Sequence, residues 1–454
     1  MSELPLAFIR QTQPLLGGDW EAFASSMADE TPVSIRLNDK IHSEILHTPV
    51  PWCPTGYYLP NRPSFTSDPL FHAGAYYVQE AGSMFIGQII TQHINKPVTA
   101  LDLCAAPGGK STHLSSLLPD GSLLVSNEVV RGRAKILIEN SYKWGNSDVV
   151  ITNNEAASIG KLRSFFDFML IDAPCSGEGM FRKDPGAIAE WSPENVKLCA
   201  LRQQSIVTDV WPALKEGGLL IYSTCTYNRS ENEDNVRFII ENMGAELVEI
   251  NTQPEWNITK TDYGYRFMPH KTRAEGFFIS LLRKTASESP FRARKDKKAT
   301  DKTPTHLPVK QLSDYLQKQD WLFGENREGI FACKQEHAEP VNILKSQLNL
   351  LSGGIPMGNL KGSDFIPHAA LALSKQLNIA NLPMADTDRL SALNYLRKDN
   401  LFFETYPKGL LLLSYRKVPL GWIKNLGNRA NNLYPQDWRI RMQIDPEKLS
   451  PAVI

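Results

Sequence analysis

Between Thr99 and Lys284 short apolar runs alternate with longer segments of mixed polarity, and this alternation constrains the fold more than any other feature of the chain. Strands buried on both faces of a parallel sheet read as continuous apolar runs, and the crossover helices between them are longer and amphipathic. The runs at 99–103, 122–127, 148–152, 168–171, 218–223 and 276–282 are the strand candidates. An α/β fold built on a doubly wound, Rossmann-like sheet is therefore expected. Ser192-Pro193-Glu194 predicts a helix start with an N-cap, a proline at the first position and an early acid. Gly217-Gly218 is expected to stop that helix, and Ser230-x-x-Glu233 reads as a capping box for the next one.

The 454 residues exceed one ordinary core, since a domain holds roughly 100–200 residues. Residues 1–95 form a mixed α+β leader with a strand at 33–37, a turn region around Trp52 and a helix near 80–91. The core occupies 96–285. Apolar side chains nearly vanish over 286–308, where Arg292, Arg294, Lys295, Lys297, Lys298 and Lys302 gather, which reads as a basic linker. A second globular segment, 309–454, follows, with strand-like pieces such as 409–415.

Basic and acidic residues number 49 each, so net charge selects no partner and only local clusters can. The first residues lack a basic stretch followed by a sustained apolar run, so no signal peptide is expected. No apolar stretch approaches the roughly 20 residues of a membrane span, so no membrane partner is expected. Six cysteines, at 53, 104, 175, 199, 225 and 333, are too scattered for a disulfide framework, which fits a cytoplasmic location. Zinc spacing is absent, and no metal is expected.

The segment Cys104-Ala105-Ala106-Pro107-Gly108-Gly109-Lys110 joins the first strand to a helix through small residues, which allow a ligand to approach the backbone closely. It is neither a dinucleotide fingerprint nor a P-loop, because the glycine needed five positions before Gly109 is Cys104. Glu128 ends the second run, where a carboxylate can accept both ribose hydroxyls of an adenosine. Asn153-Asn154 ends the third and Asp172 the fourth. Cys175 and Cys225 follow adjacent strand ends in polar segments, whereas Cys53, Cys104, Cys199 and Cys333 read as packing residues. A thiol beside a methyl donor suits methylation of a carbon that is not itself nucleophilic, such as C5 of a pyrimidine. Attack at C6 activates that carbon, and a second thiol can assist the elimination that follows.

Three motifs, Ala105-Ala106-Pro107-Gly108-Gly109-Lys110, Asp172-Ala173-Pro174-Cys175-Ser176-Gly177-Glu178-Gly179 and Ser223-Thr224-Cys225-Thr226, resemble those of the Sun-type/nucleolar-protein-type RNA cytosine-5 methyltransferases. Arg266-Phe267-Met268-Pro269-His270 followed by Glu275-Gly276-Phe277-Phe278 is similar to that family's late motif, and the order is the family's. The resemblance implies an S-adenosylmethionine-dependent core, with Cys225 as nucleophile and Cys175 assisting elimination. It implies that Asp172 contacts the cytosine edge or the cofactor amine and that Lys110 lines the catalytic crevice. Cys104, Ala105, Ala106, Pro107, Gly108, Gly109, Lys110, Glu128, Asn154 and Asp172 are the implied cofactor-binding set. Asn154 stands where the family usually has Asp.

Tyr76-Tyr77-Val78-Gln79-Glu80 resembles the family's entry to the catalytic domain, implying an RNA-binding role for the leader. The stretch from Gly421-Trp422-Ile423-Lys424 to Trp438-Arg439 resembles the C-terminal, PUA-like RNA-binding module of bacterial ribosomal RNA methyltransferases of this type. Ribosomal RNA of the small subunit is the implied partner of a monomer. Transfer RNA methylation and a non-catalytic ribosome-assembly role are the alternatives. Phosphate contact is expected from Arg182-Lys183, the linker cluster, Arg416, Lys417, Lys424, Arg429, Arg439 and Arg441. Tyr415, Trp422, Tyr434 and Trp438 are interleaved with the last six as candidate base-stacking residues.

Overall fold

Six apolar runs form the strands β1 (Thr99–Asp102), β2 (Leu123–Asn127), β3 (Val149–Thr152), β4 (Phe166–Asp172), β5 (Leu214–Thr224) and β6 (Phe277–Lys284). In the computed structural model, which describes residues 4–41, 45–287, 304, 306–326, 328–362, 364–380, 382–401, 403–445, 449 and 453–454, they lie side by side in the order β3-β2-β1-β4-β5-β6. The first five are parallel and β6 returns antiparallel along β5. Leu101, Val125, Val150, Met169 and Ile171 face one core, and Ala100, Leu124, Ile151, Phe168 and Leu170 face the other. Burial on both faces is why these runs are continuously apolar. The strand order reverses between β1 and β4, and such a reversal opens a crevice at the carboxyl ends.

The helices α1 (Gly109–Leu117), α2 (Arg131–Trp144), α3 (Pro193–Val210) and α4 (Glu233–Met243) cross between these strands. The expected N-cap of α3 is present, with Ser192 Oγ accepting from Asn195 N–H at 3.0 Å. Two other expectations are corrected. Helix α3 ends at Val210, before a 3-10 turn containing Pro212, whose ring supplies no N–H to continue the helix. Gly217-Gly218 instead lies inside β5, where pairing jumps from Phe166↔Leu214 to Phe168↔Leu219. Gly217 takes φ +74° there, a conformation that glycine adopts without penalty.

The second correction concerns Ser230, which does not cap α4. That helix begins at Glu233 after Asn232, without a side-chain cap. The Glu233 carboxylate is taken by Arg266, whose Nε and Nη2 donate at 2.7 and 2.5 Å with both side chains at most 5% exposed. A buried bidentate ion pair outweighs a local capping bond.

Before the core, the helices Leu6–Leu16 and Trp20–Ser26 precede a four-stranded sheet ordered Thr48–Val50, Cys53–Leu59, Val33–Leu37, Tyr76–Val78. Phe8 and Phe23 from those helices pack with Phe181, Trp191 and Tyr227, so they seat on the loops that follow β4 and β5. After the core come two more four-stranded sheets. One holds Trp321–Asn326, Gly329–Lys334, Ile355–Lys361 and Asp364–Pro367. The other holds Met384–Thr387, Gly409–Tyr415, Val418–Asn425 and Ala430–Asn432, and shares a core with the N-terminal sheet through Ile35, Leu59, Leu413 and Ile423. The basic cluster from Arg292 to Lys302 lies outside the described residues.

One strand crosses the boundary expected at 309. β7 (Leu350–Gly353) pairs antiparallel with β3 and extends the central sheet. Just before it, Asn349 N–H donates to Asn154 Oδ1 at 3.0 Å, and Asn154 Nδ2 donates to Asn349 O at 3.3 Å. Asn153 N–H also donates to Asn349 O at 3.0 Å. An asparagine serves this clip as an aspartate cannot, since it both donates and accepts.

Two substitutions test these contacts. Arg266→Met leaves Glu233 buried and unpaired, and unfolding should show a loss of about 3–5 kcal/mol; a loss below about 1 kcal/mol would refute the pair's role. Asn154→Asp sets a carboxylate oxygen against the Asn349 carbonyl. Amide hydrogen exchange over 348–353 should then accelerate roughly fivefold to tenfold, for a lost bond of about 1 kcal/mol. Unchanged protection would show that the clip contributes nothing.

Candidate active site

The turn from β1 to α1 is shaped by its small residues. Gly108 takes φ +118° at the N-cap of α1, which has no side-chain cap, so the first-turn amides of the nine-residue helix are free of side-chain acceptors. Arg133 Nη2 donates to Ala106 O at 2.7 Å and Asn140 Nδ2 to Pro107 O at 2.8 Å, holding the turn from α2. Ala105 N–H donates to Asn127 O at 2.8 Å, tying the turn to the end of β2. Cys104 is a half-buried free thiol pushed up by burial and then by the nearby Asp102, Asp172 and Glu128 carboxylates, consistent with a packing role.

Glu128 is buried just past β2 with Oε1 accepting from Val130 N–H at 2.9 Å. Its Oε2 has no hydrogen-bond donor, and the Arg133 guanidinium stands 3.4 Å away. Asp102 ends β1 with Oδ2 accepting from Ser111 Oγ at 2.5 Å, while Oδ1 has no donor. Burial pushes the Asp102 carboxyl up to about 7, against the Ser111 hydroxyl. Buried acceptors without donors are costly unless a ligand completes them. The turn, Glu128 Oε2 and the uncapped helix start therefore fit a small, hydroxyl-bearing cofactor with an anionic end. Asn154 has a second engagement. Its amide is already engaged with Asn349, leaving one lone pair and one N–H for a ligand.

Across the reversal point, Asp172 and Ser223 are paired residues of β4 and β5. Asp172 Oδ1 accepts from Ser223 Oγ at 2.8 Å and Oδ2 from Lys110 Nζ at 2.8 Å. Burial pulls the Lys110 ammonium down, but Asp172 and the nearby Cys225 outweigh it, and the group is held above its ordinary value. Lys110 Nζ also lies 5.2 Å from the Phe277 ring centroid.

The two thiols that follow these strand ends meet. Cys175 Sγ and Cys225 Sγ are 3.1 Å apart, far longer than the roughly 2.05 Å of a disulfide. Both cysteines are free and half-buried, whereas Cys53, Cys199 and Cys333 are buried. The contact with Cys225 and burial push the Cys175 thiol well up, and either sulfur can be the donor across the 3.1 Å contact.

No role is legible in the sequence for several side chains here, although Glu178 and Ser223 stand within its motifs. Glu178, Glu231, Asn228 and Ser223 all bond within the two cysteine loops or beneath them. Only Asp102, an acid closing the first apolar run, was open to detection by the strand-end reasoning applied to Glu128.

The expected RNA-contact set divides. The Arg182 side chain is 4% exposed, donating from Nε and Nη2 to Glu275 at 2.9 Å each, so it is removed from the phosphate-contact set. Trp422 and Tyr434 are each 1% exposed and belong to hydrophobic cores, so neither can stack a base. Tyr415 and Trp438 are half-buried, and Lys183, Arg416, Lys417, Lys424, Arg429, Arg439 and Arg441 are exposed.

Comparison with known proteins places this geometry. Residues 90–283 match the family model described as 16S rRNA methyltransferase RsmB/F. Residues 4–81 match the N-terminal domain of 16S rRNA methyltransferase RsmF, and 385–440 match the methyltransferase RsmF PUA domain. The ribosomal RNA small subunit methyltransferase F of Shewanella loihica is 33% identical over 416 residues, covering 86% of this chain and 83% of the relative. Its counterpart from Pectobacterium atrosepticum is 31% identical over 414 residues, with the same coverage. Among solved structures, a methyltransferase homologue from Pyrococcus horikoshii superposes with a TM-score of 0.53 at 26% identity, covering 61% of this chain and 94% of that one. The sheet, the small-residue turn and the carboxylates beside it are those of an S-adenosylmethionine-dependent methyltransferase core carrying a C-terminal PUA domain. With relatives more than 30% identical over most of both chains, the chain belongs to the 16S rRNA methyltransferase RsmB/F family.

Proposed function

We propose that this protein methylates C5 of a cytosine in small-subunit ribosomal RNA, with Cys225 attacking C6 and Cys175 assisting release. The observation that carries this reading is the 3.1 Å approach of two free thiols at adjacent strand ends, next to the Lys110–Asp172 pair. The substrate class follows from the relatives' names and from the RsmF-type N-terminal and PUA regions.

When bound, S-adenosylmethionine supplies an electrophilic methyl group. The chain's own residues do the rest. The turn 104–110, Glu128, Asp172 and Asn154 would hold the cofactor, the Glu128 carboxylate being suited to its ribose hydroxyls. Cys225 adds to C6, which makes C5 nucleophilic, and the ring charge that results is met by the Asp172–Lys110 pair. After transfer the Cys175 sulfur, as a thiolate, takes the C5 proton, the C5–C6 double bond re-forms and the Cys225 sulfur is expelled as a thiolate. The base must be unstacked to reach both thiol and donor, so a loop or bulge is the preferred target. Lys183 and the exposed Arg and Lys of the C-terminal region provide phosphate contacts, which position RNA without selecting its sequence.

Cys175→Ala protein, incubated with S-adenosylmethionine and small-subunit RNA from cells lacking the enzyme, should yield a protein-RNA adduct on a denaturing gel. A further Cys225→Ala substitution should abolish it. Folded, cofactor-binding protein that methylates this RNA without either thiol would overturn the reading.

A further inference from the structure

The two loops that carry the thiols converge on a carboxylate that the proposed chemistry leaves unused. Glu178 lies three residues after Cys175 and is 0% exposed. Its Oε2 accepts from Thr226 Oγ1 at 2.7 Å, Tyr227 N–H at 2.8 Å and Asn228 N–H at 2.9 Å. Its Oε1 accepts from Trp191 Nε1 at 3.0 Å, and from Asn228 Nδ2 and Gln11 Nε2 at 3.2 Å each. All six donors are neutral, and a buried carboxylate is tolerable only while such donors replace its hydration. Every shift of the 226–228 backbone therefore costs this group directly.

Other bonds stitch the same loops together. Ser176 Oγ and Thr226 Oγ1 are 3.0 Å apart, and Gly179 N–H donates to Cys225 O at 2.9 Å. A Cβ at Gly179 would stand 2.9 Å from that carbonyl and 2.4 Å from Gly276 O, so only glycine lets the backbones approach this closely. The carboxylate touches neither sulfur, but it holds the residues immediately beyond Cys225 to the segment immediately beyond Cys175.

We infer that Glu178 is the positioning residue that sets Cys225 against Cys175, and that the N-terminal helix Leu6–Leu16 is tied to this setting through Gln11. The inference rests on the reading of the two cysteines as the reacting thiols. A displacement of about 1 Å at a reacting group can cost on the order of a hundredfold in rate, so a hub of this kind acts on the chemical step rather than on RNA affinity.

Two readouts in the full-length protein test it. Diamide should close a Cys175–Cys225 disulfide, each thiol giving up its hydrogen as the S–S bond forms and the diazene is reduced to the hydrazine. This readout needs no RNA and no methyl transfer. Glu178→Gln turns one oxygen into a donor facing donors, and it should slow closure about tenfold while cofactor affinity is retained. In the Cys175→Ala background the same change should lower the maximal rate of adduct formation and leave the half-saturating RNA concentration unchanged. Thr226→Val removes the shortest of the six bonds and keeps Glu178; it should slow closure roughly threefold, and it decides the matter if the Gln variant does not fold. Closure and adduct formation at wild-type rates in a folded variant overturn the inference. Slower closure in the variant, with no C5 methylation by the wild type, upholds the positioning role and refutes the assigned reaction.

Discussion

The parallel pairing of β4 with β5 is the constraint on which the site depends. Its register sets Asp172 opposite Ser223, and each chain then leaves the sheet at the same level. The thiols, three residues past Asp172 and two past Ser223, meet because the strands beneath them are locked in register. Ala173 N–H donating to Ser223 O at 2.8 Å carries that register into the first loop. Neighbouring β1 delivers Lys110 to the same level, since the sheet order reverses between β1 and β4. A sheet buried on both faces resists slippage, because a one-residue shift would exchange the two cores along an entire strand.

The parts of this arrangement visible in the sequence are those encoded by local periodicity or by short motifs. The six central runs were legible because continuous apolar character over a few residues has few other uses in such a fold, and Ser192 was legible because its capping bond spans only three residues. The errors share a different cause. Ser230-x-x-Glu233 has the composition of a capping box, but Glu233 pairs with Arg266 from a distant strand. Gly217-Gly218 has the composition of a helix stop, but serves an irregularity in β5. Trp422 and Tyr434 lie among basic residues in the sequence and inside cores in space. Local composition carries no information about which neighbour will cover a side chain.

The Asn154 clip shows the same principle just past the end of β3. Within its own segment Asn154 is a departure from the family pattern. With Asn349 beside it, 195 residues away in sequence, the amide has a partner that requires both its donor and its acceptor. The region after the basic stretch is thus joined to the central sheet through β7 as well as to the N-terminal sheet through a shared core. The hydrogen bonds around Glu178 extend these connections to the first helix of the chain.

The central claim is that Cys225, and not Cys175, forms the bond to the base. Its most direct test is peptide mapping of the wild-type adduct formed with S-adenosylmethionine and RNA containing 5-fluorocytosine at the target position. Fluorine at C5 leaves no proton to be lost, so the adduct persists after methyl transfer. The account predicts a methylated fluoronucleotide on the peptide containing Cys225 and none on that containing Cys175; the nucleotide on Cys175 would contradict it.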